Sequence, residues 1–362
     1  MNDNLPYYLG FSYFPGIGPM RFDAFLARFG NVKEAFEASS SHILSTLGPA
    51  LGGKFITFRS SFDFETEYHK LIAKKITVVT REDVHFPPQF HELPDTPICL
   101  YVKGDIANVN WSEDFFFAVV GTRKPTEYGK QITKKFAREL AKTGVVIVSG
   151  MAMGIDGIAH WEALHEGKRT IAFLGCGVNI IYPWTNRDLY HRIIDSGSLI
   201  ISEFPPDKTT IKGHFVARNR LISGLSRGVL VTEGLINSGS LITARYALAQ
   251  GKDVFAPPSP ITSHQSQAPN LLLKEGAVLV TDVEDILEEY GLKQKEIITQ
   301  KLKLLPEEQK QLYQLLCQEA FTPDELARSV RAPISQVLTL VSTMEISGIV
   351  EKNEQGKYQI RV

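Results

Sequence analysis

The sequence predicts a doubly wound, mostly parallel α/β sheet, flanked by a small N-terminal helical region and a C-terminal unit of three helices and a hairpin. Apolar runs at 116–120, 145–148, 170–174, 199–201, 229–231, 253–256 and 277–280 recur along the middle of the chain. Helical stretches at 129–142, 156–166, 187–195, 217–225, 240–250 and 282–290 separate them. Continuous apolar strands joined by helices are buried on both faces, as in a parallel sheet with helices packed above and below. In such a fold ligands bind beyond the carboxyl ends of the strands.

With 362 residues the chain has room for two or three domains. A hydrophobic content of 43% and a charged content of 22% are those of a soluble globular protein, and no apolar run nears the ~20 residues of a membrane span. The opening MNDNLPYYLG lacks a basic segment followed by an apolar core, so a cytoplasmic location is expected. Cys99, Cys176 and Cys317 are isolated, which argues against a disulfide framework or a zinc site; Cys176 reads as a buried structural thiol, the alternative being a nucleophile. The net charge is −1, so a nucleic-acid partner would need locally concentrated basic groups.

Residues 1–66 read as a helical domain in which Gly16-Ile17-Gly18 separates two apolar segments, followed by Phe22, Phe25, Leu26 and Phe29 at helical spacing. Such a turn has the form of a helix-hairpin-helix, whose amides bind DNA phosphates. The segment holds five Lys/Arg against six Asp/Glu, however, and a structural or protein-contact role fits that balance better. From Ile76 to Gly104 the chain is extended and proline-rich, leading into the main domain at 67–292. A linker at 293–300 precedes residues 301–362, whose helix, helix, helix, hairpin order is the winged-helix pattern. Thr322 before Pro323 suits a helix start, as does Pro333. That unit carries eight Lys/Arg and eight Asp/Glu, and 333–344 has no Lys or Arg, so duplex readout is not expected.

Chemistry concentrates at the strand ends. After the run 116–120, Gly121-Thr122-Arg123-Lys124 leads into a basic helix, and helix N-terminal amides with two added cations favour an anion. An ordinary βα turn would read the same way. Gly150 and Gly154 follow the next run, and Ser238-Gly239-Ser240 opens a later helix. Small residues there allow backbone to approach a phosphate, and hydroxyls can donate to it. Neither loop matches the ATP-binding phosphate loop or a dinucleotide fingerprint, so no cofactor and no metal is expected. Asp156 and His160 are four apart on one helix and read as a structural hydrogen-bonded pair. The stretch 207–227 holds Lys208, Lys212, Arg218, Arg220 and Arg227 against Asp207, a balance of +4, with Phe215 among them. Cations for phosphates beside an aromatic ring for a base are what single-stranded nucleic acid requires, although a solvated helix face around a core phenylalanine is the plainer alternative.

The blocks GTRKPTEYG, SGMAMGIDGIAHWEAL, FLGCGVNIIYP, ISEFPP, HFVARNRLISGLS and SGSLITARYALAQGKDVFA, in this order over roughly residues 70–290, resemble the DNA-processing protein A (DprA/Smf) family. The resemblance implies a Rossmann-like core, often with a sterile-alpha-motif-like domain before it and a winged helix after it. It further implies a cytoplasmic homodimer that binds and protects single-stranded DNA and loads the RecA recombinase during natural transformation. Carried onto this chain, it places Arg123 in the phosphate loop, Lys212 on the DNA backbone, Phe215 against a base, and Arg218, Asn219 and Arg220 around the same pocket. Pro257-Pro258-Ser259-Pro260 and Gln267-Ala268-Pro269-Asn270 depart from the family pattern, which affects one pocket wall. The main alternative is an enzyme similar to the LOG-type phosphoribohydrolases, but the segment from Glu233 to Thr243 lacks their acid at the helix start. A non-catalytic binding protein is expected.

Overall fold

A computed structural model describes residues 3–292, 305–317, 319–347, 349–353 and 356–360. They form two compact units, Met1–Thr281 and Asp282–Val362. The boundary expected near residue 66 falls inside the first unit, and the one near 292 inside the second.

The first unit is built on a nine-stranded sheet comprising β1 (Thr77–Thr80), β2 (Cys99–Lys103), β3 (Phe116–Val120), β4 (Val146–Ser149), β5 (Thr170–Phe173), β6 (Leu199–Ser202), β7 (Gly228–Val231), β8 (Asp253–Ala256) and β9 (Val278–Leu279). The strand order is β1-β2-β6-β5-β4-β3-β7-β8-β9. Strands β6 to β9 in that order pair in parallel, while β2 is antiparallel to both β6 and β1. All seven apolar runs singled out in the sequence are strands. Alternation along them feeds two cores: Leu100, Val102, Phe116, Val148, Phe173 and Ile201 face one way, Cys99, Tyr101, Ala172 and Ile200 the other.

The crossover helices are α7 (Glu127–Lys142), α8 (Ile155–His165), α9 (Arg187–Asp195), α10 (Lys212–Leu225) and α11 (Gly239–Ala249). Leu221 and Ile222 of α10 and Leu241 and Ala244 of α11 cover the first face, and Leu164 of α8 with Leu189 and Ile193 of α9 the second. A further helix, α12 (Gln267–Lys274), was not expected from the sequence. Pro269 reads as a loop residue, but it sits in the first turn, where a missing N–H costs nothing.

Six helices precede the sheet: α1 (Leu5–Tyr13), α2 (Pro19–Phe29), α3 (Val32–Glu37), α4 (Ser40–Leu47), α5 (Pro49–Ser61) and α6 (Phe64–Ala73). Phe11, Phe22, Phe25, Phe36 and Phe55 form their aromatic core, with the Phe11 and Phe22 centroids 5.1 Å apart and nearly edge to face. Gly16, at φ +123°, makes the turn between α1 and α2, a conformation that favours glycine. Leu5 and Leu9 of α1 pack into the second sheet core.

The second unit contains α13 (Val283–Glu289), α14 (Glu307–Leu316), α15 (Pro323–Val330), α16 (Ile334–Ile346) and the antiparallel pair β10 (Val350–Lys352) and β11 (Tyr358–Ile360). Thr322 caps α15 as expected, its hydroxyl accepting from Glu325 N at 3.3 Å while Glu325 Oε2 accepts from Thr322 N at 2.7 Å. The expected linker at 293–300 and the turn residues Glu354-Gln355 lie outside the described residues.

Candidate nucleic-acid interface

The strand order reverses at β3. The chain runs from β3 through β4 and β5 to β6 on one side, then returns to place β7 on the other. Loops leaving β3 and β7 therefore diverge, opening a crevice at their carboxyl ends. A cleft of about 710 Å³ lies there, lined by Gly121, Thr122, Arg123 and Lys124 after β3, Lys212, Phe215, Arg218 and Asn219 of α10, and Ser238, Gly239 and Ser240 opening α11. These segments are distant in sequence and were each singled out separately. Gly150, Gly154 and Arg220 do not line this cleft.

Gly150 and Gly154 act through spacing. A Cβ on Gly150 would stand 2.4 Å from Arg218 Nη1, and one on Gly154 would stand 2.4 Å from Thr122 O, with φ at +78° besides. The first glycine lets the Arg218 guanidinium lie against the strand-end loop, and the second lets that loop pack on the 121–126 turn. Met151 between them is held at φ +54°. Its N–H donates to His160 Nε2 at 3.3 Å, and its carbonyl accepts from Asn186 Nδ2 at 3.0 Å.

The N-terminus of α7, expected to hold a phosphate, already holds an anion. Thr126 N donates to Glu233 Oε2 at 2.8 Å, and the Thr126 hydroxyl, which also caps α7 by accepting from Gly129 N at 3.2 Å, meets Glu233 Oε1. Thr122 N donates to the Glu233 carbonyl at 2.8 Å. Glu233 is buried and absent from the cleft lining. It fixes the β3 turn from behind, and the exposed Arg123 and Lys124 side chains are left as that turn's charges toward the cleft. The N-terminus of α11 does open into the cleft; there Ser238 caps Leu241 N and its hydroxyl lies 2.7 Å from that of Ser240.

The basic stretch 207–227 is not one surface. Lys212 is exposed on the first turn of α10 and lines the cleft. Arg218 is buried: Nη1 donates to Gly150 O at 2.6 Å and to Phe173 O, and Nε to Asn219 Oδ1 at 3.1 Å. Asn219 in turn donates through Nδ2 to Gly239 O at 3.1 Å, so the pair ties α10 to the α11 N-terminus. Arg220, expected around the pocket, faces elsewhere because it is buried in ion pairs with Glu203 and, at 2.8 Å, with Asp95. Arg227 lies over the Phe115 ring, just before β7 and β3 and hence at the amino ends of those strands, opposite to the cleft. Lys208 lines a second cleft, of about 510 Å³, with Gly16, Ile17 and Gly18.

Phe215 is half-buried, with the Arg123 Cζ 5.3 Å from its centroid and the Tyr182 ring 5.4 Å away. Tyr182, Phe215, Arg123 and Arg218 also line a narrow pocket of about 30 Å³ beside the cleft. Sequence reasoning passed over Tyr182, although it stands in one of the quoted blocks, because nothing in the linear order links it to Phe215. Gln265 was missed as well. Its carbonyl accepts from Gly234 N at 2.7 Å, and the residue supplies the cleft wall near the segment that departs from the family pattern.

Asp156 and His160 are not hydrogen-bonded to each other, as the sequence had suggested. His160 accepts from Met151 N at Nε2, so Nδ1 carries the proton and donates to Thr170 Oγ1 at 2.7 Å, which itself donates to Ile147 O at 2.7 Å. Burial, aided by the Arg218 charge, pushes this imidazole down to about 3. Asp156 lines the cleft and is the single carboxylate among its lining residues; burial raises its pKa and the Arg218 charge opposes that rise. Burial pushes the Cys176 thiol up to about 11. No group of three His, Cys, Asp or Glu suited to a metal ion occurs among the described residues, and no helix among them is long and apolar enough to cross a membrane.

Protein Smf of Escherichia coli is 37% identical over 292 residues, covering 78% of this chain and 77% of that protein. DNA processing protein DprA of Bacillus subtilis is 39% identical over 214 residues, 59% of this chain and 71% of that protein. The X-ray structure of DNA processing protein A from Streptococcus pneumoniae matches with a TM-score of 0.69 at 33% identity, over 80% of this chain and 98% of that one. A structure describing the single-stranded DNA binding mode of the Helicobacter pylori protein matches with a TM-score of 0.54 at 36% identity, over 60% and 95%. The family model for DNA recombination-mediator protein A spans residues 77–291, and the chain belongs to that family.

Proposed function

We propose that this protein binds single-stranded DNA in the cleft at the β3/β7 crevice, protects it, and hands it to the RecA recombinase. The observation that carries the reading is the convergence of Arg123, Lys124 and Lys212 around Phe215 in one cleft, beside the α11 N-terminus. Mobile cations neutralise phosphates, a half-open ring stacks on a base, and the sequence-independence of both suits a strand of any sequence. The H. pylori relative, for which a single-stranded DNA binding mode is described, supports the same assignment. The test is an anisotropy titration of single-stranded against duplex oligonucleotides over a salt series, without nucleotide. Tight, salt-dependent preference for the single strand is expected.

The cleft is read as a binding site and not a catalytic one. The acid that a LOG-type enzyme carries at the helix start is replaced here by Ser238-Gly239-Ser240, and the one carboxylate in the cleft lining, Asp156, is buried beside Arg218. Release of free base from a nucleoside monophosphate is the result that would favour the enzyme reading. Transfer to RecA rests on family membership and is tested by RecA filament assembly on a strand precoated with single-strand-binding protein. Homodimerisation through the first unit is tested by sedimentation. For residues 301–362 a winged helix serving as a protein contact is proposed, in keeping with the exposed Ile334 and Leu338 one turn apart on α16. Deleting 297–362 is expected to leave single-strand affinity within a few fold.

A further inference from the structure

Trp184 is 68% exposed, and Tyr182, two residues earlier, is 42% exposed. Large aromatic rings left in water forgo the burial that ordinarily stabilises them, so two on one short loop ask for an occupant. The loop is firmly set. Asn186 donates to both Met151 O and Ala152 O at 3.0 Å, which ties it to the strand-end loop beside the cleft. The Tyr190 hydroxyl anchors its other side by donating to Val178 O at 2.6 Å.

The aromatics continue a line that starts in the cleft. Tyr182 contacts the Phe215 ring at 5.4 Å, and Tyr182 and Pro183 line the narrow pocket that Phe215, Arg123 and Arg218 share. A second pairing repeats the first: the Arg187 Cζ lies 5.6 Å from the Trp184 centroid, as the Arg123 Cζ lies 5.3 Å from that of Phe215. Each ring has a guanidinium on one side, and Arg187 is exposed like Arg123. A ring with an adjacent cation is the unit that takes one nucleotide of a single strand, the base on the ring and the phosphate on the cation.

The geometry points to a second nucleobase-stacking subsite, formed by Tyr182, Trp184 and Arg187, that receives the strand where it leaves Phe215. This inference rests on the reading of the cleft as a single-strand site, and it adds a direction, from α10 across the 180–187 loop toward the start of α9.

The full chain is titrated with oligothymidylates of increasing length, following both anisotropy and tryptophan emission. Trp184→Ala is expected to bind the shortest ligands as the wild type does and to lose roughly fivefold to a hundredfold in affinity for longer ones, the range of one stacked base. Trp184→Phe keeps the ring and is expected to retain affinity while losing most of the emission quench, since Trp111 is buried in the core and Trp161 packs against the second sheet core, neither lining the cleft or the narrow pocket. A melting curve for each variant confirms folding. If Trp184→Ala matches the wild type at every length while binding still depends on Arg123 and Lys212, the second subsite is wrong and the cleft reading stands. If the wild type binds no single strand at all, both fall.

Discussion

Glu233 stands behind the β3 turn with its carboxylate on Thr126, accepting from the backbone N–H at 2.8 Å and from the hydroxyl. The protein thereby supplies its own anion to the α7 N-terminus and keeps Arg123 and Lys124 turned outward. Gly129 makes room for it: a Cβ there would lie 2.0 Å from Glu233 Oε2. Glycine to alanine inside a helix ordinarily stabilises by about 1 kcal/mol. Here Gly129→Ala is expected to lower the melting temperature instead, because the carboxylate must move and leave the Thr126 N–H unpaired, at ~1–3 kcal/mol. A raised melting temperature would show that the carboxylate is not fixed there.

The cations of α10 separate into two kinds. Lys212 is exposed at the cleft, so Lys212→Ala is expected to weaken single-strand binding for all sequences and to reduce the salt slope by about 0.7, the amount expected for one phosphate. Arg220 is buried against Glu203 and Asp95. Arg220→Met leaves the Glu203 charge without its partner and is expected to cost roughly 3–5 kcal/mol in stability with no change in slope. Urea unfolding and salt-dependent titration of the two variants check both statements; a slope that falls in Arg220→Met contradicts the assignment.

Phe215 packs on Arg123 and Tyr182 while lining the cleft. Phe215→Ala is expected to lose about 1–3 kcal/mol of single-strand affinity, the value of one stacked base, with a smaller loss of folding stability. A collapse in melting temperature with unchanged affinity would make the ring a core residue.

These residues show where the linear pattern suffices. Every apolar run of the parallel sheet was legible, since a strand buried on both faces needs an unbroken hydrophobic sequence. That the loops after β3 and β7 line one cleft was legible because a doubly wound fold brings its strand ends together. What charge counting could not separate was Lys212 from Arg220: both are cations of one helix, and only packing decides which meets water and which meets Glu203. The same limit hid Tyr182 and Gln265, which reach the site across tertiary contacts, and Pro269 concealed α12 by occupying the one turn where proline is tolerated.

His160 makes folding stability depend on pH. Its ring is buried and neutral, with both nitrogens engaged by Met151 and Thr170, and its pKa falls from 6.5 to about 3 on folding. Below pH 6.5 the unfolded chain takes up a proton that the folded one refuses, so stability present above that pH is lost as pH falls toward 3. The loss from this group is up to about 1.4 kcal/mol per pH unit. Asp156 and Glu203, raised by burial, act in the opposite sense: the folded state holds their protons more tightly, and that contribution is lost as pH rises through their folded values. Comparing the wild type with His160→Gln removes those shared terms. Urea unfolding between pH 7 and 5 is expected to show the wild type losing stability more steeply than the variant, which lacks the titrating ring. Equal slopes would mean that the imidazole titrates freely and does not hold Met151, and with it the Gly150 to Gly154 loop, in place.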